Sequence, residues 1–186
     1  MANTDRDDIQ AALAGDDDAF ARIVERYEPQ VAKLMWRFSR DRTTCEELMQ
    51  DVFVEAYLSL ETYRGRAPFL HWLRRIGTRV GYRFWKRQQR QRRHVPLSDA
   101  DLPAAPAAPS DPAAAGRVLE VLLSQLKPPE RLVLTLQYLE QCSVKEIARR
   151  TGWTAGMVKM RAYRARKKLR RIARTGRLLE RYEWTS

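Results

Sequence analysis

The chain has 186 residues, of which 44% are hydrophobic, so it can form one domain or two small ones. Its formal net charge of +12 favours a polyanionic partner. Two cysteines far apart, Cys45 and Cys142, exclude a disulfide framework and a cysteine-based zinc site, and no apolar run is long enough to span a bilayer. Without a signal-like N-terminus, we expect a cytoplasmic protein with no membrane insertion of its own.

The charge is unevenly distributed along the chain. Residues 1–62 contain fourteen acidic residues and seven basic ones, whereas Arg74 to Arg93 contain nine basic residues and no acid. An acidic first third followed by a basic remainder indicates two kinds of partner, one of which is not DNA.

The first half of the chain predicts a helical bundle. Apolar residues recur at helical spacing from Phe20 to Phe38 and again in a set formed by Phe69, Trp72, Leu73, Ile76, Val80 and Phe84. Between these stretches, Thr43 or Thr44 is expected to cap a helix that runs to Leu60. No stretch alternates as a strand would, so the fold class is all-α.

A Pro/Ala-rich stretch divides the chain. Residues 96–115 contain five prolines and little that could pack, which predicts a flexible linker. We therefore expect two small helical domains at 1–95 and 116–175, and a C-terminal tail at 176–186. Four further helices are predicted after the linker.

The last two of these helices predict a helix-turn-helix. Ser143 and Glu146 form a capping box, Gly152 supplies a tight turn, and Thr154 caps the second helix. An inward apolar stripe is expected at Val158, Ala162, Ala165, Leu169 and Ile172. From Lys145 to Arg174 there are twelve basic residues and one acid, so the second helix is suited to DNA.

In this order the motifs resemble the extracytoplasmic-function (ECF, group 4) sigma factors of bacterial RNA polymerase. The segment Glu46-Glu-Leu-Met-Gln-Asp51-Val-Phe-Val-Glu-Ala-Tyr57 is similar to region 2.2 of that family. The resemblance implies docking on the β′ clamp helices of the polymerase through Glu47, Leu48, Gln50, Asp51, Val54 and Glu55. A protein partner for this segment would account for the acidic first third.

Two further segments carry the resemblance. Tyr63-Arg-Gly-Arg-Ala-Pro-Phe69-Leu-His-Trp72 and the helix after it are similar to regions 2.3 and 2.4, which implies recognition and melting of the promoter −10 element by Arg64, Arg66, Trp72, Arg75, Arg79, Arg83, Lys86 and Arg87. Tyr82, Phe84 and Trp85 lie between these basic residues, and aromatic surfaces of this kind could receive an unstacked nucleobase.

The helix-turn-helix is similar to region 4 of the family, although Gln141 stands where a turn glycine is common. This implies that it binds the −35 element in the major groove. The residues implied are Arg149, Thr154, Ala155, Lys159, Met160, Arg161, Arg164 and Lys168.

The resemblance implies a transcription initiation factor with three partners: core RNA polymerase, contacted at its β′ clamp helices and β flap, promoter DNA and an anti-sigma factor. No catalytic residue, metal site or cofactor is expected. A stand-alone helix-turn-helix regulator is the alternative, and residues 46–93 distinguish the two because a plain regulator needs no acidic docking helix. A nucleic-acid enzyme is discounted because no metal or acid–base constellation accompanies the basic segments.

Overall fold

A computed structural model describes residues 2–94 and 112–175, and all of the secondary structure in these ranges is helical, which confirms the all-α class. The α-helices are α1 Ala2–Leu13, α2 Asp17–Met35, α3 Arg42–Leu58, α4 Phe69–His94, α5 Pro112–Ser124, α6 Pro128–Leu134, α7 Val144–Thr151 and α8 Ala155–Thr175. A short 3₁₀ turn at Leu60–Thr62 follows α3, and a π turn at Thr135–Leu139 follows α6.

The chain divides into two compact units. The first extends to Trp85 within α4, and the second begins at Lys86 but does not include Arg149–Gly152. The predicted linker and tail fall largely outside the described residues. Only the end of the linker is described, and there α5 begins at Pro112, because proline is favoured in the first turn of a helix.

The core of the first unit depends on a close approach of α4 to α2. Gly77 lies on the α4 face that meets Leu34 and Met35 of α2, and a Cβ atom built at Gly81 would stand 2.3 Å from the ring of Phe38, three residues after the end of α2. The Phe38 ring also packs against Trp85, with centroids 4.6 Å apart. Trp85, rather than the predicted Phe84, therefore completes the apolar face of α4, and its Nε1 donates a hydrogen bond to the Phe38 carbonyl (2.8 Å).

Helix capping explains where α3, α7 and α8 begin. The prediction that Thr43 or Thr44 caps α3 is wrong: the cap is Asp41, whose carboxylate accepts bonds from the Thr44 backbone N–H and hydroxyl at 2.8 and 2.7 Å. The predicted caps of α7 and α8 are confirmed. Ser143 Oγ accepts from the Glu146 N–H, and Thr154 Oγ1 accepts from the Met157 N–H, both at 3.2 Å.

An ion-pair network fastens α1 to α2. Asp8 accepts hydrogen bonds from Arg26 Nη2 at 2.5 Å and Arg22 Nε at 2.9 Å. Asp5 accepts from Arg26 Nη1 at 2.8 Å and from the Tyr27 hydroxyl at 2.5 Å. Asp8 is buried, and the hydrogen bond from Arg26, reinforced by Arg22, holds the pKa of its carboxyl below the usual range.

We expect Asp8→Asn to lower the free energy of unfolding by about 2 kcal/mol at pH 7, because two charge-assisted hydrogen bonds to a buried group are weakened. The pKa of Asp8 is lowered on folding, so its contribution is complete above the ordinary carboxyl pKa of about 4 and is lost as the pH falls through the lower folded value. Urea unfolding of both proteins at pH 7 and pH 3 tests this. The prediction would be contradicted if the difference in unfolding free energy between wild type and Asp8→Asn were as large at pH 3 as at pH 7.

The second unit packs α5 and α6 against α8. Its core includes Leu123, Leu126, Leu134 and Ala165, and Leu169 packs against it. Before α7 the backbone turns at Gln141, which has φ of +53°, a conformation that disfavours residues other than glycine by about 1 kcal/mol. The Gln141 side chain donates to the Tyr138 carbonyl at 2.8 Å and partly offsets that cost.

Candidate nucleic-acid and polymerase interfaces

An exposed stripe runs along α3. Glu47, Gln50, Asp51 and Val54 recur at spacings of three and four residues, and all four are exposed. Leu58, which is 77% exposed, extends the stripe by one more turn and was missed by sequence reasoning. An acidic, partly apolar helix face of this kind is suited to another protein rather than to DNA.

Two of the residues predicted for polymerase contact are placed differently. Leu48 is only 2% exposed and belongs to the bundle core, so its side chain is not available to a partner, and we correct its assignment. Glu55 forms an ion pair with Arg83 of α4. This pair joins a residue predicted for the polymerase to one predicted for the −10 element.

An aromatic cluster lies at the start of α4. Phe69 is buried, and its ring centroid lies 5.2 Å from that of Trp72 and 5.3 Å from that of Tyr63. Trp72 is only partly buried, so it packs against this cluster while part of the residue stays accessible to solvent. Arg64 and Arg66 are exposed on the loop just before this cluster. Cations beside an accessible aromatic ring are suited to an unstacked nucleotide.

The arginines of α4 form an exposed row. Arg75, Arg79 and Arg83 follow one another at four-residue intervals and are exposed, as are Lys86 and Arg87 further along the helix. Desolvation by neighbouring protein atoms and the positive charge of Arg75 lower the pKa of Arg79. Trp85, in contrast, is buried and bonded to Phe38, so we correct the expectation that it could receive a base.

The outward face of α8 carries the residues predicted for the −35 element. Thr154, Ala155, Lys159, Met160 and Arg164 are exposed, and so is Arg149 on α7. Tyr163, 58% exposed and one turn after Lys159, lies on this face and was missed. The predicted inward stripe is confirmed for Val158, Ala162 and Ala165, which are buried, whereas Leu169 and Ile172 are partly buried.

Two predicted DNA contacts of α8 are engaged within their own unit. Lys168 Nζ donates a hydrogen bond to the Gln125 carbonyl at the end of α5. The Arg161 guanidinium lies over the Trp153 ring, with its Cζ 3.7 Å from the ring centre. Within the described ranges, Arg161 Nη1 is buried and has no hydrogen-bond partner. The stacking contact with Trp153 therefore fixes the orientation of the Arg161 guanidinium.

We expect Trp153→Leu to weaken binding to the promoter duplex about 10-fold, because the cation–π contact that orients Arg161 is worth about 0.5–2 kcal/mol. Trp153→Phe keeps an aromatic face and should restore most of the affinity. Fluorescence anisotropy with a labelled duplex, together with thermal unfolding of each variant, tests this. Equal affinities of the Leu and Phe variants would mean that the ring does not orient Arg161.

The described residues show neither a metal-ligand cluster nor a membrane-spanning helix. In the described part of the chain, no group of three or more His, Cys, Asp or Glu residues is arranged to hold a metal ion. Cys45 and Cys142 are both buried and are not joined by a disulfide, and burial raises the pKa of the Cys45 thiol. Each helix in the described ranges is too short or too polar to cross a bilayer.

Comparison with known proteins agrees with this layout. The Sigma-70 region 2 family matches residues 23–91, and the Sigma-70, region 4 family matches residues 116–169. The RNA polymerase sigma factor CarQ of Myxococcus xanthus is 30% identical over 160 residues, which cover 85% of this chain and 91% of CarQ. The ECF RNA polymerase sigma-E factor of Haemophilus influenzae is 28% identical, covering 88% and 92%. This chain belongs to the ECF group of sigma-70 factors.

One further relative is much longer than this chain, and another has a solved structure. The probable RNA polymerase sigma factor RfaY of Xanthomonas campestris is 32% identical over 95% of this sigma factor, which spans only 44% of the length of RfaY. The structure of CnrH in complex with the cytosolic domain of CnrY superposes with a TM-score of 0.59 at 25% identity, covering 92% of this chain and 98% of CnrH. As an ECF sigma factor, the chain acts in promoter-specific transcription initiation.

Proposed function

We propose that this sigma factor docks on the β′ clamp helices of core RNA polymerase through the exposed stripe of α3, formed by Glu47, Gln50, Asp51, Val54 and Leu58. The observation that carries the proposal is the separation of charge between helices. The α3 stripe combines acidic and apolar side chains, whereas α4 and α8 expose rows of basic ones. Opposite electrostatic surfaces on one chain suit simultaneous binding of a protein and of DNA.

The DNA contacts would be divided between the two basic helices. Exposed arginines of the loop and of α4 would hold the phosphates of the −10 element while Trp72 supports an unstacked base. The outward face of α8 would enter the major groove of the −35 element. Residues 96–115 would join the domains at 1–95 and 116–175 across the distance between the two elements.

An apolar groove in the second unit would serve as the contact for the polymerase β flap. It has a volume of about 270 Å³ and lies between α5, the π turn and α8. The residues that line it include Leu119, Leu123, Leu134, Tyr138, Leu139 and Leu169. Such a groove suits an apolar helix or turn of a partner protein.

We also propose that the protein works in the cytoplasm, has no catalytic activity of its own, and is held inactive by an anti-sigma factor. The family resemblance implies such a regulator, and the structural relative CnrH was solved with the cytosolic domain of a second protein, CnrY. A regulator that covers the α3 stripe or the groove would compete with polymerase for this sigma factor.

Run-off transcription from a random promoter library tests the function directly. Core RNA polymerase is incubated with and without this protein, and the transcripts are sequenced. Starts that share −35 and −10 motifs and require both components would support the proposal. Binding to duplex DNA without polymerase-dependent initiation would instead favour a stand-alone regulator.

A further inference from the structure

The turn between α2 and α3 bears a basic surface within the otherwise acidic first third of the chain. Four of the seven basic residues in 1–62 fall between Lys33 and Arg42, and residues 29–40 contain no acid. We call Lys33, Trp36, Arg37 and Arg40 the corner patch. Lys33 and Arg40 are exposed, and Trp36 is 40% exposed. The corner patch is therefore a positively charged surface in a part of the chain that is otherwise negatively charged.

The acids nearest in sequence do not neutralise Arg40. Asp41 caps α3 and accepts two bonds from Thr44, and Glu46 pairs with Arg42. Arg40 instead lies over the indole of Trp36, with its Cζ 5.9 Å from the ring centre. That contact orients the guanidinium while leaving it exposed to solvent.

The basic residues at the two ends of α2 are used differently. In its first half, Arg22 and Arg26 are held by the aspartates of α1, which fasten that helix. The helix dipole favours cations near the C-terminus and accounts for Lys33 and Arg37 in part. It does not account for Arg40, which lies five residues beyond the last residue of α2, or for an exposed tryptophan beside it.

The corner patch is fastened directly to the helix proposed to face the −10 element. Phe38, inside the corner, packs its ring against Gly81 and Trp85 of α4. The Phe38 carbonyl accepts the hydrogen bond from Trp85 Nε1. Trp85 stands within the basic run from Arg74 to Arg93. A ligand that runs along α4 thus passes an element whose position relative to α4 is fixed by packing.

We propose that the corner patch is a further DNA-contacting element, which binds phosphates of the promoter strand beside the −10 element without reading bases. The inference rests on the proposed function, in which α4 faces DNA. Lysine and arginine side chains that contact phosphates add affinity and fix register but carry no sequence information. The patch accordingly strengthens promoter binding and leaves promoter choice unchanged.

Arg40→Gln and Lys33→Gln, singly and combined, test the proposal in the holoenzyme. Arg6→Gln is the matched control because Arg6 is an exposed cation on α1. Promoter binding is measured as a function of salt, and the affinity of each variant for core polymerase is measured without DNA. The plot of log affinity against log salt should become shallower by about 0.9 for each phosphate that the variant no longer neutralises. Affinity at low salt should fall about 3-fold to 10-fold per substitution, because one phosphate contact is lost, with core binding and transcript start sites unchanged.

Two results would overturn the proposal. Salt slopes equal to those of wild type and the Arg6 control would mean that the patch is only solvated surface. Weaker core binding with an unchanged salt slope would assign the patch to the polymerase instead. Failure of the proposed function is distinguishable from both, because the wild-type protein itself would then give no polymerase-dependent promoter complex.

Discussion

We expect Gly81→Ala to destabilise the first unit by about 2–3 kcal/mol, which lowers its melting temperature by roughly 10 °C. A Cβ atom at this position would lie 2.3 Å from two carbons of the Phe38 ring. Phe38 is 2% exposed and packed against Trp85, so its ring cannot move aside without disturbing a second aromatic side chain. Overpacking therefore outweighs the gain of up to about 1 kcal/mol in helix propensity.

Gly116→Ala is the matched control for this substitution. Gly116 lies within α5, and a Cβ atom built there has no heavy atom within 4 Å among its described neighbours. The same chemical change should therefore stabilise α5 by about 0.5–1 kcal/mol. Circular dichroism and calorimetry of both variants measure the difference. A Gly81→Ala protein as stable as wild type would show that α4 can shift away from the Phe38 ring.

Much of the fold can be predicted from the sequence, and the exceptions have local physical causes. The periodic apolar residues of α2, α4 and α8 were sufficient for the all-α class and for most helix positions. The start of α3 was misjudged because Asp41, Thr43 and Thr44 are all good caps, and only the backbone geometry decides between them. Phe84 and Trp85 fit the apolar period of α4 almost equally, and the space left by Gly81 selects Trp85.

Asp51→Arg should weaken binding of this sigma factor to core RNA polymerase by about 10-fold to 100-fold, a loss of about 1.4–2.7 kcal/mol. Asp51 is exposed in the middle of the α3 stripe, between Glu47 and Val54, so reversal of its charge would oppose a complementary partner without disturbing the core. Binding of fluorescently labelled protein to core polymerase in the absence of DNA measures the effect.

Glu28→Arg provides the control, since it makes the same change of charge at an exposed position of α2. Its affinity for polymerase should remain within about 2-fold of wild type, as expected for a charge outside the contact surface. Thermal unfolding should be unchanged for both variants. Equal losses in the two proteins would indicate a response to net charge, and the α3 stripe would then not be the docking surface.

The candidate interfaces were predictable in outline and less so in detail. Helical spacing separates the exposed Gln50, Asp51 and Val54 from the core, but a family motif includes Leu48, which is conspicuous in sequence and buried in the bundle. The bond of Lys168 to Gln125 and the stack of Arg161 on Trp153 depend on how α8 packs in its own unit. The sequence pattern does not show which partner such a long side chain contacts, because its charged end group can reach several.

The ion pair between Glu55 and Arg83 has a consequence for hybrid sigma factors. If α3 alone were replaced by that of a relative without an acidic residue at position 55, Arg83 would lose its ion-pair partner. If α4 alone were replaced by a helix without a basic residue at position 83, Glu55 would lose its partner in the same way. Either chimera would alter the helix that was not exchanged. Under the proposed function, polymerase affinity and promoter binding would therefore be coupled within the first unit, and recombination should succeed best when α3 and α4 are inherited together.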